Sequence, residues 1–284
     1  HHRFGNSCAG AGMKVVTDLS VTSRPFRPPA GSQAALGVTF DALGLHFDPA
    51  RTDTLFQDAE GTVPVTGDGQ PVGRILDLSG HGLDAQQSIS SARPLWRTDG
   101  QVCWLEFDGA DDFLQVPLVP FAVTSTISCA LAASKEAGKY NGPLLELTGS
   151  LATAGAFSVI GNSGSLANWG LHATMSSVTT FRVPTPDYAA TSVLQARWDM
   201  TTSQTQLNQQ LSARLDGVDQ PVAGSGTDAG SFATAPLFIG RRNGTSLPWA
   251  GRLYGVAIIG RALSGAELQS AETFLASLSG VSLP

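Results

Sequence analysis

Charge is scarce in this chain: 14% of its 284 residues are Asp, Glu, Lys or Arg, and the net charge is −6. Lysine is scarcer still, with 3 against 14 arginines. A phosphate-binding surface needs a basic face, so this balance argues against a nucleic-acid partner. Only three cysteines occur, Cys8, Cys103 and Cys129, an odd number without zinc-site or disulfide-framework spacing. Cys103 and Cys129 fall in strand-like runs and read as small buried hydrophobes of a reducing compartment, with a pair between them as the alternative. The five histidines, His1, His2, His46, His81 and His172, are scattered without metal-ligand spacing. No apolar run reaches the length of a membrane span. The N-terminus has no signal-peptide core; His1-His2 reads as a tag remnant, with Met13 as a natural start. Neither a G-x-S-x-G elbow nor a P-loop is present.

What the chain has in quantity is glycine, 32 residues, together with Ser and Thr. Short alternating runs recur about every ten residues between turn signals, the pattern of an all-β sandwich. Leu43 to Phe47 opens the series. Cys103, Leu105 and Phe107 alternate with Val102, Trp104 and Glu106; Ile127, Cys129 and Leu131 form another inward row. Leu145–Leu147, Phe157–Ile160, Trp169–Met175 and Leu194–Trp198 add further strands. Asp68-Gly69 and Asp99-Gly100 are hairpin-type turns.

The C-terminal stretch is the most fully written. After the run Leu237 to Ile239 and a polar loop with Asn243-Gly244, Arg252 to Ile259 is apolar on both faces. Strict alternation puts Tyr254, Val256 and Ile258 on one face and Leu253, Ala257 and Ile259 on the other. Such a strand must be covered on both sides. Ser264 and Glu267 then form a capping box, flanked by a Leu263–Leu268 staple. Leu268, Ala271, Leu275 and Leu278 repeat at helical spacing, and Gly280 is the stop.

Two blocks carry a resemblance. The stretch FIGRRNGTSLPWAGRLYGVAIIGRALSGAELQ resembles the last two strands and closing helix of a laminin-G-like, concanavalin-A-like sandwich, with Ala250 where the family has an aromatic. The stretches LFQDAEGTVPVTGDGQPVGRILDLSGHGLDAQQ and ARPLWRTDGQVCWLEFDGADDFLQV resemble the opening of such modules in tailed-bacteriophage virion proteins. The expected fold is therefore a jelly-roll sandwich of two antiparallel sheets over residues 41–284, with a C-terminal α-helix. Residues 1–40, with the proline-rich SVTSRPFRPP, lack an apolar period and read as an extended arm that straps onto a partner subunit. Val15, Val16, Leu19, Val21 and Phe26 would be its anchors.

Candidate chemistry is sparse. The family glycanases carry E-x-D-x-E on one strand; here Glu106 and Asp108 alternate but Ala110 stands third. The expectation is a chain that is not an enzyme. For glycan binding, an aromatic platform beside polar side chains is needed. Trp169 with Asn168 and His172, and Trp249 with Arg241, Arg242 and Asn243, are the candidates; Trp96, Trp104 and Trp198 read as packing. Asp77, Asp108, Asp111 and Asp112 lie in Gly-containing loops with oxygen donors of the kind calcium takes. Otherwise they are turn formers, and no cofactor is required. The resemblance implies a structural virion protein of a tailed phage, as head decoration, spike, tail or fibre module. Its partners would be other virion proteins through the arm, in an oligomeric assembly, and host-surface glycan. A secreted adhesin or carbohydrate-binding module is the alternative, located outside the cell; a glycan hydrolase ranks behind it.

Overall fold

The computed structural model describes residues 36–136, 142–161, 168–185 and 189–284. The first strands are β1 Gly44–Phe47, β2 Leu55–Phe56, β3 Arg74–Ile75, β4 Ala85–Gln86, β5 Leu95–Thr98 and β6 Cys103–Asp108. Then come β7 Leu114–Pro120, β8 Thr126–Lys135, β9 Pro143–Leu147, β10 Ala156–Gly161, β11 Asn168–Thr174 and β12 Val178–Pro184. The last are β13 Ser192–Asp199, β14 Leu211–Leu215, β15 Val218–Gln220, β16 Thr234–Ile239, β17 Arg241–Arg242, β18 Ser246–Pro248 and β19 Ala250–Ile259. One helix, α1 (Gly265–Ser279), follows.

The strands form the expected sandwich. An eight-stranded sheet runs β15-β14-β13-β8-β19-β6-β5, with β1 also paired to β19, and a nine-stranded sheet runs β12-β11-β10-β9-β16-β7-β4-β3-β2. Every pairing is antiparallel. Between the sheets lie Leu105 and Phe107 of β6, Ile127, Cys129 and Leu131 of β8, Leu145 of β9, Phe157 of β10, Leu171 of β11 and Trp198 of β13. Cys103 and Cys129 are free thiols, and burial pushes the Cys129 thiol up to about 12.

A second apolar layer lies on the outer face of the eight-stranded sheet, where Ala271, Leu275 and Ala276 of α1 meet Ala130, Ala132, Val193, Tyr254 and Ala257. This is why β19 is apolar on both faces. Its alternation is not strict: a bulge between Leu253 and Gly255 shifts the register. Leu253 therefore joins Val256 and Ile258 in the main core, while Tyr254 joins Ala257 and Ile259 under the helix. A bulge adds one residue without a partner and so reverses the facing of what precedes it. A Cβ on Gly255 would come within 3.0 Å of Leu278 and 3.1 Å of Leu275, so glycine lets the helix sit close.

The helix ends match the expectation. Ser264 Oγ accepts from the Glu267 amide at 3.3 Å, the Ser264 amide donates to Glu267 Oε2 at 2.9 Å, and Gly280 closes the helix at φ 73°. Arg214 of β14 holds the buried Glu272 through two bonds of 2.7 and 3.2 Å. Of the expected arm, Leu36 and Val38 are buried in the layer beneath α1. Thr39 accepts from Arg261 at 2.7 Å, and Arg261 also reaches Asp41 and Glu267. Residues 1–35, with the anchors Val15 to Phe26 and Cys8, lie outside the described residues.

Candidate functional site

The strands β9 to β12 follow one another in the sheet, so residues in register form rows across it. One row reads Glu146, Ser158, His172, Thr180. Their neighbours in sequence, Leu145, Val159 and Leu171, point into the core. By the period of two, the polar row faces outward. Outward here does not mean wet. Glu146 and Ser158 are fully buried and His172 is 9% exposed.

Glu146 is covered by the β17–β18 hairpin. The turn Asn243-Gly244 has φ of 49° and 63°, positive at both positions, as a two-residue hairpin turn requires. A side chain at Gly244 would collide with the Phe113 ring at 2.6 Å, so glycine also seats the hairpin. Arg242 Nε then donates to Glu146 Oε1 and Oε2, each at 2.9 Å. Burial pushes the Glu146 carboxyl up, and Arg242 opposes that rise.

Farther along the row, His172 Nδ1 lies 2.9 Å from Thr180 Oγ1. Burial holds the imidazole down at about 4, helped by the Arg242 and Arg182 charges, so it is neutral at pH 7. Ser158 Oγ and His172 Nε2 are buried and have no hydrogen-bond partner among the described residues. Buried polar atoms without partners are uncommon, and each costs about 1–3 kcal/mol unless water or a ligand meets it. Serine, histidine and a carboxylate side by side invite comparison with a nucleophilic triad. The geometry differs: Ser158 Oγ is not hydrogen-bonded to the imidazole, and Nδ1 faces a threonine rather than a carboxylate.

The expected residues are distributed as follows. His172 and Arg242 come together in this row. Trp169 and Trp249 are fully buried, and neither is a platform. The reason is parity: on β11, Trp169 shares the inward face with Leu171 and Ala173, leaving His172 outside. Lys135 Nζ lies 4.9 Å from the Trp169 ring centre and donates to the Asn168 carbonyl at 2.5 Å, so this group closes one end of the core. Trp249 packs edge-on to Phe107, ring centres 5.5 Å apart. Arg241 reaches the Thr245 carbonyl at 3.1 Å and the Asp111 carbonyl at 3.4 Å, and Asn243 sits in the hairpin turn.

Asp77 does not join the other aspartates as a metal ligand. Its two oxygens accept from the His46 amide (2.9 Å), the Ser79 amide (2.9 Å), the Ser79 hydroxyl (2.7 Å) and the Leu83 amide (3.1 Å), which leaves no room for an ion. Asp108, Asp111 and Asp112 do converge, with one oxygen of each within 4.8 Å of the others. Burial pushes Asp112 up to about 7, against the Asp108 amide bond and with repulsion from Asp108, Asp111 and Glu106. Glu106 itself pairs with Arg97 at 3.3 Å.

Sequence reasoning missed Glu146, Ser158 and Thr180. For Glu146 and Ser158 the signal is a polar residue inside an otherwise apolar strand, as in Pro143–Leu147, where every position is buried; Thr180, beside Thr179 and Arg182, gives no such signal.

No family model matches this chain, and no curated protein matches it by sequence. Solved structures do. The binding domain of botulinum neurotoxin DC, in complex with rat synaptotagmin II, is 9% identical; the match covers 84% of this chain and 52% of that one, at a TM-score of 0.52. Domain 4 of AbnA, an extracellular arabinanase from Geobacillus stearothermophilus in complex with arabinotriose, is 16% identical over 81% of this chain and 97% of that one, at 0.49. Trypanosoma rangeli sialidase in complex with sialic acid is 15% identical over 74% and 32%, at 0.49. The chain thus spans about a third of the sialidase. The virion subgroup of the sequence resemblance has no counterpart among these three. The expectation that the chain is not an enzyme is not upheld by these neighbours, which include a sialidase and a domain of an arabinanase, and it is withdrawn. At these identities the likeness is one of fold, a β-sandwich that occurs in glycan-acting chains and in toxin receptor-binding domains.

Proposed function

We propose that this chain recognises a glycan on the outer face of its nine-stranded sheet, along the row Glu146, Ser158, His172 and Thr180. The observation that carries the reading is the pair of buried atoms, Ser158 Oγ and His172 Nε2, that have no partner among the described residues. A sugar hydroxyl both donates and accepts, so it suits a serine hydroxyl and a neutral imidazole together. The Glu146–Arg242 pair beside them keeps the floor polar without net charge. Arg182, exposed on the edge strand β12, borders it.

The test is a glycan array followed by calorimetry on the best hit, with the same incubations read for released sugar. Ser158→Ala and His172→Ala are each expected to weaken binding about tenfold or more, the worth of one hydrogen bond to a buried group. Ser158→Ala should leave the melting temperature unchanged or raise it, because it removes an unmet polar atom. Binding that neither substitution touches would place the ligand elsewhere.

That this recognition serves a tailed-phage virion is proposed on the resemblance of residues 55–116 alone; the strap to other virion proteins is then the part of the arm before Leu36, since Leu36 and Val38 are buried beneath α1. Calcium at Asp108, Asp111 and Asp112 is likewise a proposal, supported by their convergence. Millimolar calcium should then raise the melting temperature of the native protein by mass action and leave that of Asp112→Asn unmoved. Equal shifts in both proteins, or none, would make these aspartates turn residues only.

A further inference from the structure

His46 lies on β1, opposite Ala257 of β19, in the layer between the eight-stranded sheet and its cover. It has no exposed surface, and neither ring nitrogen has a hydrogen-bond partner among the described residues. The Phe40 ring stacks near it, 6.3 Å away and 9° from parallel. Phe274 of α1 meets it edge-on at 5.9 Å. An imidazole held between two phenyl rings, with no hydrogen bond from the described residues, is stable there only while neutral.

We propose that His46 is an acid-sensitive latch: protonation releases α1 and the segment 36–42 from the sheet. The charges around it do not offset an imidazolium. Arg51, just past β1, repels it. Asp53 already pairs with Arg51, and Asp77 is filled by amides and the Ser79 hydroxyl. Asp48 spends its carboxylate on the Ala50 amide, and burial pushes its carboxyl up. His81 stands edge-on to Phe40, 6.5 Å away, and supplies no negative charge. From α1 and β19 the facing residues are Phe274 and Ala257, which are apolar.

The sign follows from where the proton goes. Burial holds His46 down at about 4, while the released ring titrates near its ordinary 6.5. Above pH 6.5 both forms are neutral and the latch is closed. Between 6.5 and 4 the open form gains a proton that the closed form refuses, so opening becomes easier as pH falls. From pH 7 to pH 5 the opening equilibrium should rise roughly 20-fold.

Amide hydrogen exchange of the full chain at pH 7 and pH 5, corrected for intrinsic rates, reads this directly. Protection in peptides from 36–47 and 265–279 should fall roughly 20-fold, while peptides from β7 and β16 hold theirs. His46→Phe, which cannot take a proton, should abolish the difference; His46→Met serves if that variant does not fold. Unchanged protection in the wild type would overturn the latch. So would a fall shared equally by every peptide, or a fall that persists in the variant.

Discussion

Arg242→Ala is expected to destabilise the protein by about 3–5 kcal/mol at pH 7, as removal of one member of a buried ion pair does. Glu146 has no exposed surface, and both its oxygens are bonded to Arg242 Nε at 2.9 Å. Without the guanidinium, the carboxylate must stay charged and unpaired or take up a proton. Either course carries a pH signature. A buried acid whose native value is raised is most favourable below its unfolded value and loses stability as pH rises through its native value. Burial already raises Glu146, and the substitution removes the charge that opposes the rise. The penalty should therefore be smaller at pH 5 than at pH 7. His46 titrates in both proteins, so its contribution cancels in the difference; losing the Arg242 charge also relaxes the hold on His172, which makes the penalty smaller in acid and so acts in the same direction. Urea unfolding of both proteins at the two pH values gives the comparison. Replacing the pair by Glu146→Leu with Arg242→Met should recover most of the loss, because no charge is then stranded. A cost below about 1 kcal/mol for Arg242→Ala, equal at both pH values, would mean that the hairpin does not depend on this pair.

The sandwich was legible because its strands obey a period of two and its turns use Asp-Gly and Asn-Gly. The helix was legible because Ser264, Glu267 and Gly280 act locally, within one turn of the backbone they cap. The failures share a different cause. Leu253 and Tyr254 were assigned to the wrong faces because a bulge depends on the partner strand, and the partner is far away in sequence. Trp169 and Trp249 were placed outside because an aromatic next to Asn or Arg reads the same whether its strand parity points in or out. Asp77 looked like a ligand until the four donors on its carboxylate came into view. The polar row itself exists only through register: Glu146, Ser158, His172 and Thr180 belong to four strands, and no one strand's sequence shows that they line up.

Trp249→Ala is expected to cost about 3–5 kcal/mol, the usual range for emptying a buried aromatic site. The indole is fully buried, edge-on to Phe107 with ring centres 5.5 Å apart. Its backbone amide donates to the Gly240 carbonyl at 2.8 Å, which fixes the chain where it enters β19. Gly251 is part of the same fit: a Cβ there would lie 2.7 Å from the Trp249 ring. Alanine would leave a cavity that these neighbours, held in two sheets, can collapse into only partly. Phenylalanine separates packing from polarity. It gives up part of the ring volume, but it also removes the indole Nε1, which is buried without a partner among the described residues. Meeting no hydrogen bond costs about 1–3 kcal/mol, so losing that N–H offsets some of the lost packing. Trp249→Phe should thus fall well short of the alanine penalty, and an effect as large as alanine's would show that shape dominates. Thermal unfolding of the two variants ranks them. The same proteins, assayed against any glycan the wild type binds, distinguish core from platform. A platform tryptophan would lose binding and keep its melting temperature, whereas a core tryptophan does the reverse at temperatures where the variant stays folded.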